Sequence, residues 1–280
     1  LILGIWVLAG LPGIAGAAVT APPRHIVSIN LCTDALLLAL VPRSRIAALS
    51  HLATDPRLSP VVALARGIPQ VHGAAEEVLA LDPDLVVAGR YTTRETVLLL
   101  RRLGIDVVEL GLPTSMNDVR RQIREFAQWV GEPGRGERVV AALDARLSAA
   151  APDPGTPRPL AAIYGPNGYT AGPRTLEGAV LRAAGYANLA GRAGIETWGW
   201  LPLEGLLRGR PQLLVFEETG HAPDLAHRVL AHPALVRVQR SIAVASVPGR
   251  LWSCAGPWVG EVVQRLARLR QEGPVQGRGR

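Results

Sequence analysis

Lysine is absent from this chain of 280 residues: all 30 basic positions are Arg, against 23 Asp and Glu, for a formal charge of +7 and a pI near 10.5. A basic balance invites a nucleic-acid reading, because phosphate backbones attract clustered cations. These Arg are scattered, however, with only pairs such as Arg101, Arg102 and Arg120, Arg121 adjacent, and four Tyr and two Phe leave few rings for stacking bases. Exclusive use of Arg reads as coding bias on a solvated surface, and nucleic acid is set aside as a partner. Cysteine is almost missing too. Cys32 and Cys254 are too few for a disulfide framework and lack the paired spacing of a zinc site. Apolar residues make up 48% of the chain and charged ones 19%, the balance of a sequence that buries a core, so wholesale disorder and rod-like folds are excluded.

The first 23 residues carry no charge, and the apolar run Leu1 to Ala18 is interrupted by Gly10, Pro12, Gly13 and Gly16. With Ala15-Gly16-Ala17 as an A-x-A pattern, residues 1–17 read as a signal peptide for export to the periplasm. A retained membrane anchor is the alternative, since about twenty apolar residues can span a bilayer. A positive leading segment is missing, and Leu1 in place of Met puts the expected start upstream or at a non-standard codon.

Beyond Arg24 the chain alternates short β-branched runs with helical periodicity. Ile26 to Ile29, Ile46 to Ser50, Leu85 to Ala88 and Val107 to Leu110 read as strands. Helices are expected from Thr33 or Asp34 to Leu40, from Thr93 to Leu103 with Gly104 as the stop, and from Ser115 with Val119, Ile123, Phe126 and Val130 on one face. Pro133 suits the first turn of a second long helix, which the prolines after Ala150 end. The alternation then resumes with strands at Leu160 to Tyr164, Leu213 to Phe216 and Ile242 to Ser246, and helices at Thr175 to Ala184 and Val259 to Arg270. The expected fold is α/β: two Rossmann-like lobes with mainly parallel sheets, residues 24–132 and 157–272, joined by one long helix over 133–151. Ligands of such sheets sit at the carboxyl ends of the strands.

An internal echo supports two related lobes. Glu76 to Val87 reappears as Glu204 to Val215: each runs from Glu, seven positions to Pro, then into an apolar strand. Each Glu sits favourably at a helix N-terminus, and each Pro ends its helix.

With these motifs in hand, the sequence resembles the periplasmic binding proteins for vitamin B12 and iron complexes that serve ABC importers. The resemblance rests on Arg24-His25-Ile26-Val27-Ser28 opening into Cys32-Thr33-Asp34-Ala35-Leu36-Leu37, Gly67-Ile68-Pro69-Gln70-Val71, Leu81-Asp82-Pro83-Asp84-Leu85, Tyr164 to Gly172, Trp198 to Glu204 and Ala255-Gly256-Pro257. It implies a monomeric receptor that holds a corrinoid, ferric siderophore or haem between its lobes, with little hinge closure, and delivers it to an ABC permease dimer. Glu76 and Glu204 would then dock onto permease arginines. The cleft would be lined by His51, Arg90, Tyr91, Tyr169, Trp198, Trp200 and Trp252, with Trp198 matching an aromatic cleft residue of B12-binding relatives in its offset from Glu204. Rigid rings supply contact area at little entropic cost.

No protein-held metal or cofactor is expected, because the ligand brings its own Co or Fe. His51, His72, His221, His227 and His232 show no helical i, i+4 pair with Glu of the kind zinc sites use. The resemblance puts Cys32 and Cys254 in loops near the cleft mouth, on opposite lobes. Two packed thiols is the preferred reading, with an interlobe disulfide or a thiolate contact to the ligand's metal as alternatives. Catalytic residues are not expected: the chain has no G-x-S-x-G elbow, no phosphate-binding P-loop and no G-x-G-x-x-G after a strand. The enzymatic alternative is a cytoplasmic chelatase-like or cofactor-handling protein on a similar fold.

Overall fold

A computed structural model describes residues 21–92, 94–218, 230–239 and 242–273. The proposed signal segment, His221 and His227 lie outside the described residues. The first lobe runs β1 (Ile26–Ser28), α1 (Leu31–Leu40), β2 (Ile46–Ser50), α2 (Val62–Ala65), β3 (Gln70–Val71), α3 (Ala75–Leu79), β4 (Leu85–Gly89), α4 (Arg94–Arg102), β5 (Val107–Leu110) and α5 (Met116–Trp129). Its five strands pair in parallel in the order β3-β2-β1-β4-β5. The long helix α6 (Pro133–Ala150) follows.

The second lobe contains β6 (Leu160–Ile163), β7 (Tyr169–Ala171), α7 (Leu176–Ala183), β8 (Ala187–Asn188), α8 (Leu189–Arg192), β9 (Trp198–Trp200), α9 (Leu203–Gly209), β10 (Leu213–Glu218), α10 (Pro233–Gln239), β11 (Ala243–Pro248) and α11 (Val259–Glu272). Four of its strands form a parallel sheet in the order β11-β10-β6-β8. The fold is thus the expected pair of α/β lobes with mainly parallel sheets, joined by one long helix.

Local chemistry explains where the helices begin. Asn30 caps α1 by accepting the backbone N–H of Cys32 at 2.9 Å, so the helix opens at Leu31, two residues ahead of the expected Thr33. Ser115 caps α5 by accepting the Asp118 N–H at 3.1 Å, and the Asp118 carboxylate in return accepts from Ser115 Oγ at 2.8 Å and from the Thr114 N–H at 3.1 Å. Val119, Ile123 and Phe126 point inward from α5 as their spacing requires. Gly136 lets α6 close on α5: a Cβ there would stand 2.5 Å from the Ala127 methyl. Arg45 and Glu132 pair at 2.7 Å, fastening the start of β2 to the entry of α6.

Helix α6 packs against α5 on one side and α11 on the other. One apolar cluster therefore runs unbroken from Ile26, Leu36 and Phe126 through Val140 and Leu143 to Val259 and Leu266. Burial across both lobes resists large hinge motion, because opening would expose that shared core. Strands β7 and β9 form a separate antiparallel pair, with Tyr169 opposite Trp200 and Ala171 opposite Trp198. The sequence analysis contains no such ribbon. Three-residue strands rich in Gly and Trp carry no readable period.

Candidate ligand cleft

The loops that follow the carboxyl ends of β1, β5 and β11 converge between the lobes. They bring Cys32, Leu110 to Pro113, and Ser253 to Ala255 around a cavity of about 50 Å³, closed by Gln122 of α5, Leu176 and Glu177 of α7, and the rings of Trp198 and Trp252. A second cavity of about 350 Å³ shares Leu110 to Pro113 and Gln122 with the first and extends past Arg90, Glu109, Arg121 and Trp129. Both lie at strand ends, where parallel sheets hold ligands.

Cys32 and Cys254 are joined by a disulfide, with their Cα atoms 5.0 Å apart. This corrects the preferred expectation of two packed thiols. The reason is topological. Cys32 lies in the first turn of the helix after the central strand of one lobe, and Cys254 precedes the last helix of the other, so the converging strand ends set both within bonding range. The bond links lobe to lobe beside the smaller cavity.

The expected cleft aromatics separate into two groups. Tyr169 and Trp200 sit on the antiparallel ribbon with ring centroids 6.4 Å apart, edge to face, and Trp200 is 69% exposed. Trp198, on the same strand, is 43% exposed and borders the smaller cavity. Trp252 by contrast is 1% exposed, a core side chain that also walls this cavity. Tyr91 and Arg90 follow β4, and both are exposed. Arg90 lines only the larger cavity.

His51 follows β2 and stacks on His72, which follows β3, with centroids 4.8 Å apart. His72 faces Glu77 at 3.4 Å. Among the described residues no group of three or more His, Cys, Asp or Glu is placed to hold a metal ion. Glu76 and Glu204 occupy equivalent sites, each exposed in the first turn of its helix, α3 and α9.

The sequence analysis missed Glu177, the carboxylate that walls the smaller cavity. Burial pushes the Glu177 acid above its ordinary range, opposed by hydrogen bonds from its own backbone, Thr175 and the Trp198 side chain. Glu217, at the end of β10, is raised by desolvation and by the like charge of Glu177. The Tyr169 phenol is raised by desolvation and by both carboxylates. As a sequence, Thr175-Leu176-Glu177 offers only a helix cap and a dipole-compensating acid, so nothing there pointed to a cleft.

Two parallel α/β lobes bridged by one helix, with an aromatic-walled cleft at their strand ends, define a two-lobe receptor for small solutes. The chain belongs to the periplasmic binding protein family, whose model matches residues 26–240. That family is one of binding proteins, not of enzymes. A cobalamin-binding protein of Halobacterium salinarum is 28% identical over 244 residues, covering 84% of this chain. The chain spans 65% of that relative's length. Among solved structures, the periplasmic heme-binding protein RhuT from Roseiflexus in apo form superposes with a TM-score of 0.72 at 24% identity, covering 89% of this chain and 98% of its own. The periplasmic vitamin B12 binding protein BtuF of Vibrio cholerae gives 0.65 at 14% identity, covering 90% and 98%. These likenesses establish a shared fold.

Proposed function

We propose that this chain is the extracytoplasmic receptor of an ABC importer. It captures a corrinoid, ferric siderophore or haem between its lobes and presents it to a permease dimer. The observation that carries the reading is the interlobe cleft walled by Trp198, with Trp200 and Tyr169 exposed on the adjoining ribbon. Broad rings favour a large, semi-rigid ligand over a bare ion. A metal already enclosed by an organic ligand needs no protein donor, which suits a cleft without a His and carboxylate cluster among the described residues. The relatives named for cobalamin and heme support the same ligand class. An interlobe disulfide suits an oxidising compartment such as the periplasm.

Two exposed glutamates at matching positions, one per lobe, suit a partner with paired cations related by two-fold symmetry. Thermal-shift screening against cobalamin, cobinamide, haemin and ferric siderophores tests the proposal. A ligand that binds only the folded state raises the melting temperature. The expected result is a concentration-dependent rise with at least one of them, and no rise with any would overturn it.

A further inference from the structure

A further cavity, of about 380 Å³, lies apart from the cleft and shares no lining residue with either cavity there. It sits where three helices meet: the start of α5 from the first lobe, the end of α6, and α7 from the second lobe. Its lining divides by chemistry. Met116, Leu147, Ala179 and Ala183 supply an apolar surface, of which Leu147 and Ala179 are themselves buried. Arg120, Arg158 and Arg182 line it as well, and among the described residues no Asp or Glu does.

The three guanidinium groups differ in what balances them. Arg120 donates from Nε to Asp144 at 2.6 Å and from Nη1 to Asn117 Oδ1 at 2.8 Å, so its charge is met within the protein. Arg158 and Arg182 bind backbone carbonyls instead: Arg158 Nη1 donates to the Arg182 carbonyl at 3.2 Å, and Arg182 Nη2 to that of Pro173 at 2.8 Å. A carbonyl positions a guanidinium without neutralising it. Among the described residues neither Arg158 nor Arg182 pairs with a carboxylate, and each keeps N–H donors unused. Two uncompensated cations beside an apolar surface, with no acid in the lining, raise the local concentration of anions.

We propose that this cavity is a second ligand site, for an amphiphilic oxyanion: a carboxylate or phosphate head that pairs with Arg158 and Arg182, on an aliphatic body that lies against Met116, Leu147, Ala179 and Ala183. The guanidinium fork matches either head with parallel N–H···O bonds, and a bare inorganic anion would leave the apolar lining unused. The volume falls in the range of small-molecule sites, which combine an apolar lining with a few placed polar groups. The site stands independently of the receptor reading of the cleft. Because α5 and α7 belong to different lobes, its occupant touches both.

The test is equilibrium dialysis of the full chain against octanoate and octyl phosphate. Acetate and inorganic phosphate serve as the heads alone, and octylammonium as the same chain with the opposite charge. The expected result is retention of octanoate or octyl phosphate at least about tenfold more tightly than the matching bare head, because the methylenes leave water, and no retention of octylammonium. Whichever of the two binds more tightly identifies the head. The double change Arg158→Gln, Arg182→Gln, at two exposed positions, should weaken that retention at least about tenfold while the cleft's affinity for its own ligand and the melting temperature stay unchanged. Retention of neither amphiphile, bare heads held as tightly as the chain-bearing probes, or octylammonium held as tightly as octanoate would overturn the site. So would undiminished retention by the double variant, which would put the probe in the interlobe cleft instead. All of these outcomes leave the receptor reading in place, since none of them reports on capture of a metal-organic ligand.

Discussion

Cys32 and Cys254, 222 positions apart in sequence, are bonded across the two lobes beside the smaller cavity of the cleft. A bond closing so long a loop restricts the unfolded chain strongly. Removing it by the double change Cys32→Ser, Cys254→Ser is expected to lower stability by about 2–5 kcal/mol, read by urea unfolding. Thiol titration of the native protein should find no free thiol, and two after reduction and unfolding.

Asp34 gives stability a pH dependence. It is fully buried, accepts the Ser50 N–H at 3.0 Å and the Ser50 hydroxyl, and is raised by burial to about 7 from 3.8. The folded state therefore keeps a proton that the unfolded state gives up near 3.8. Its contribution is fully present below that value and is lost as pH rises through about 7. The wild type should lose on the order of a few kcal/mol between pH 4 and pH 8 from this group. Asp34→Asn, which cannot ionise, should flatten that part of the profile in chemical unfolding measured across the range.

Glu76 and Glu204 lead two copies of one unit. Six residues on, Asp82 and Arg210 both take left-handed backbone, with φ of 45° and 47°, and in each case proline follows. Replacing both glutamates with Ala should abolish uptake in cells carrying the permease while ligand affinity of the purified protein stays within about twofold, because exposed rim charges govern docking rather than the cleft. A parallel loss of affinity would contradict the docking role.

The left-handed sites make a further prediction. Arg tolerates this region poorly, whereas Asp is among the side chains that tolerate it best. Arg210→Gly should therefore stabilise by up to about 1 kcal/mol, while Asp82→Gly should come out near neutral, both read as shifts in denaturant midpoint.

Gly178 supports the wall of the cleft. A Cβ there would lie 2.1 Å from the Gly172 carbonyl oxygen and 2.8 Å from Pro173 Cα, both backbone atoms. Gly178→Ala should cost at least about 1–3 kcal/mol in unfolding measurements and weaken ligand binding, since Glu177 is its neighbour in α7.

Strand and helix alternation made both lobes legible in the sequence. Ile46–Ser50, Val107–Leu110 and Pro133–Ala150 fall where β-branched runs, helical spacing and the leading proline place them. Elements of two or three residues, such as Gln70–Val71 and the Tyr169–Ala171 ribbon with Trp198–Trp200, are set by partners distant in sequence and leave no local period. The disulfide was illegible for the same reason, since its geometry depends on how the lobes are docked. Gln122 reads in sequence as a polar helix position. Only its burial and its place in the walls of both cavities mark it as part of the cleft.

The central claim is that a metal-organic ligand lies between the lobes against Trp198. Equilibrium dialysis of the purified chain and of Trp198→Ala, against cobinamide, haemin and ferric siderophores, tests it most directly. The account predicts one ligand retained per chain by the wild type and at least about tenfold weaker retention by Trp198→Ala at unchanged melting temperature without ligand. Equal retention by the two proteins, or no retention of any ligand by the wild type, would contradict it.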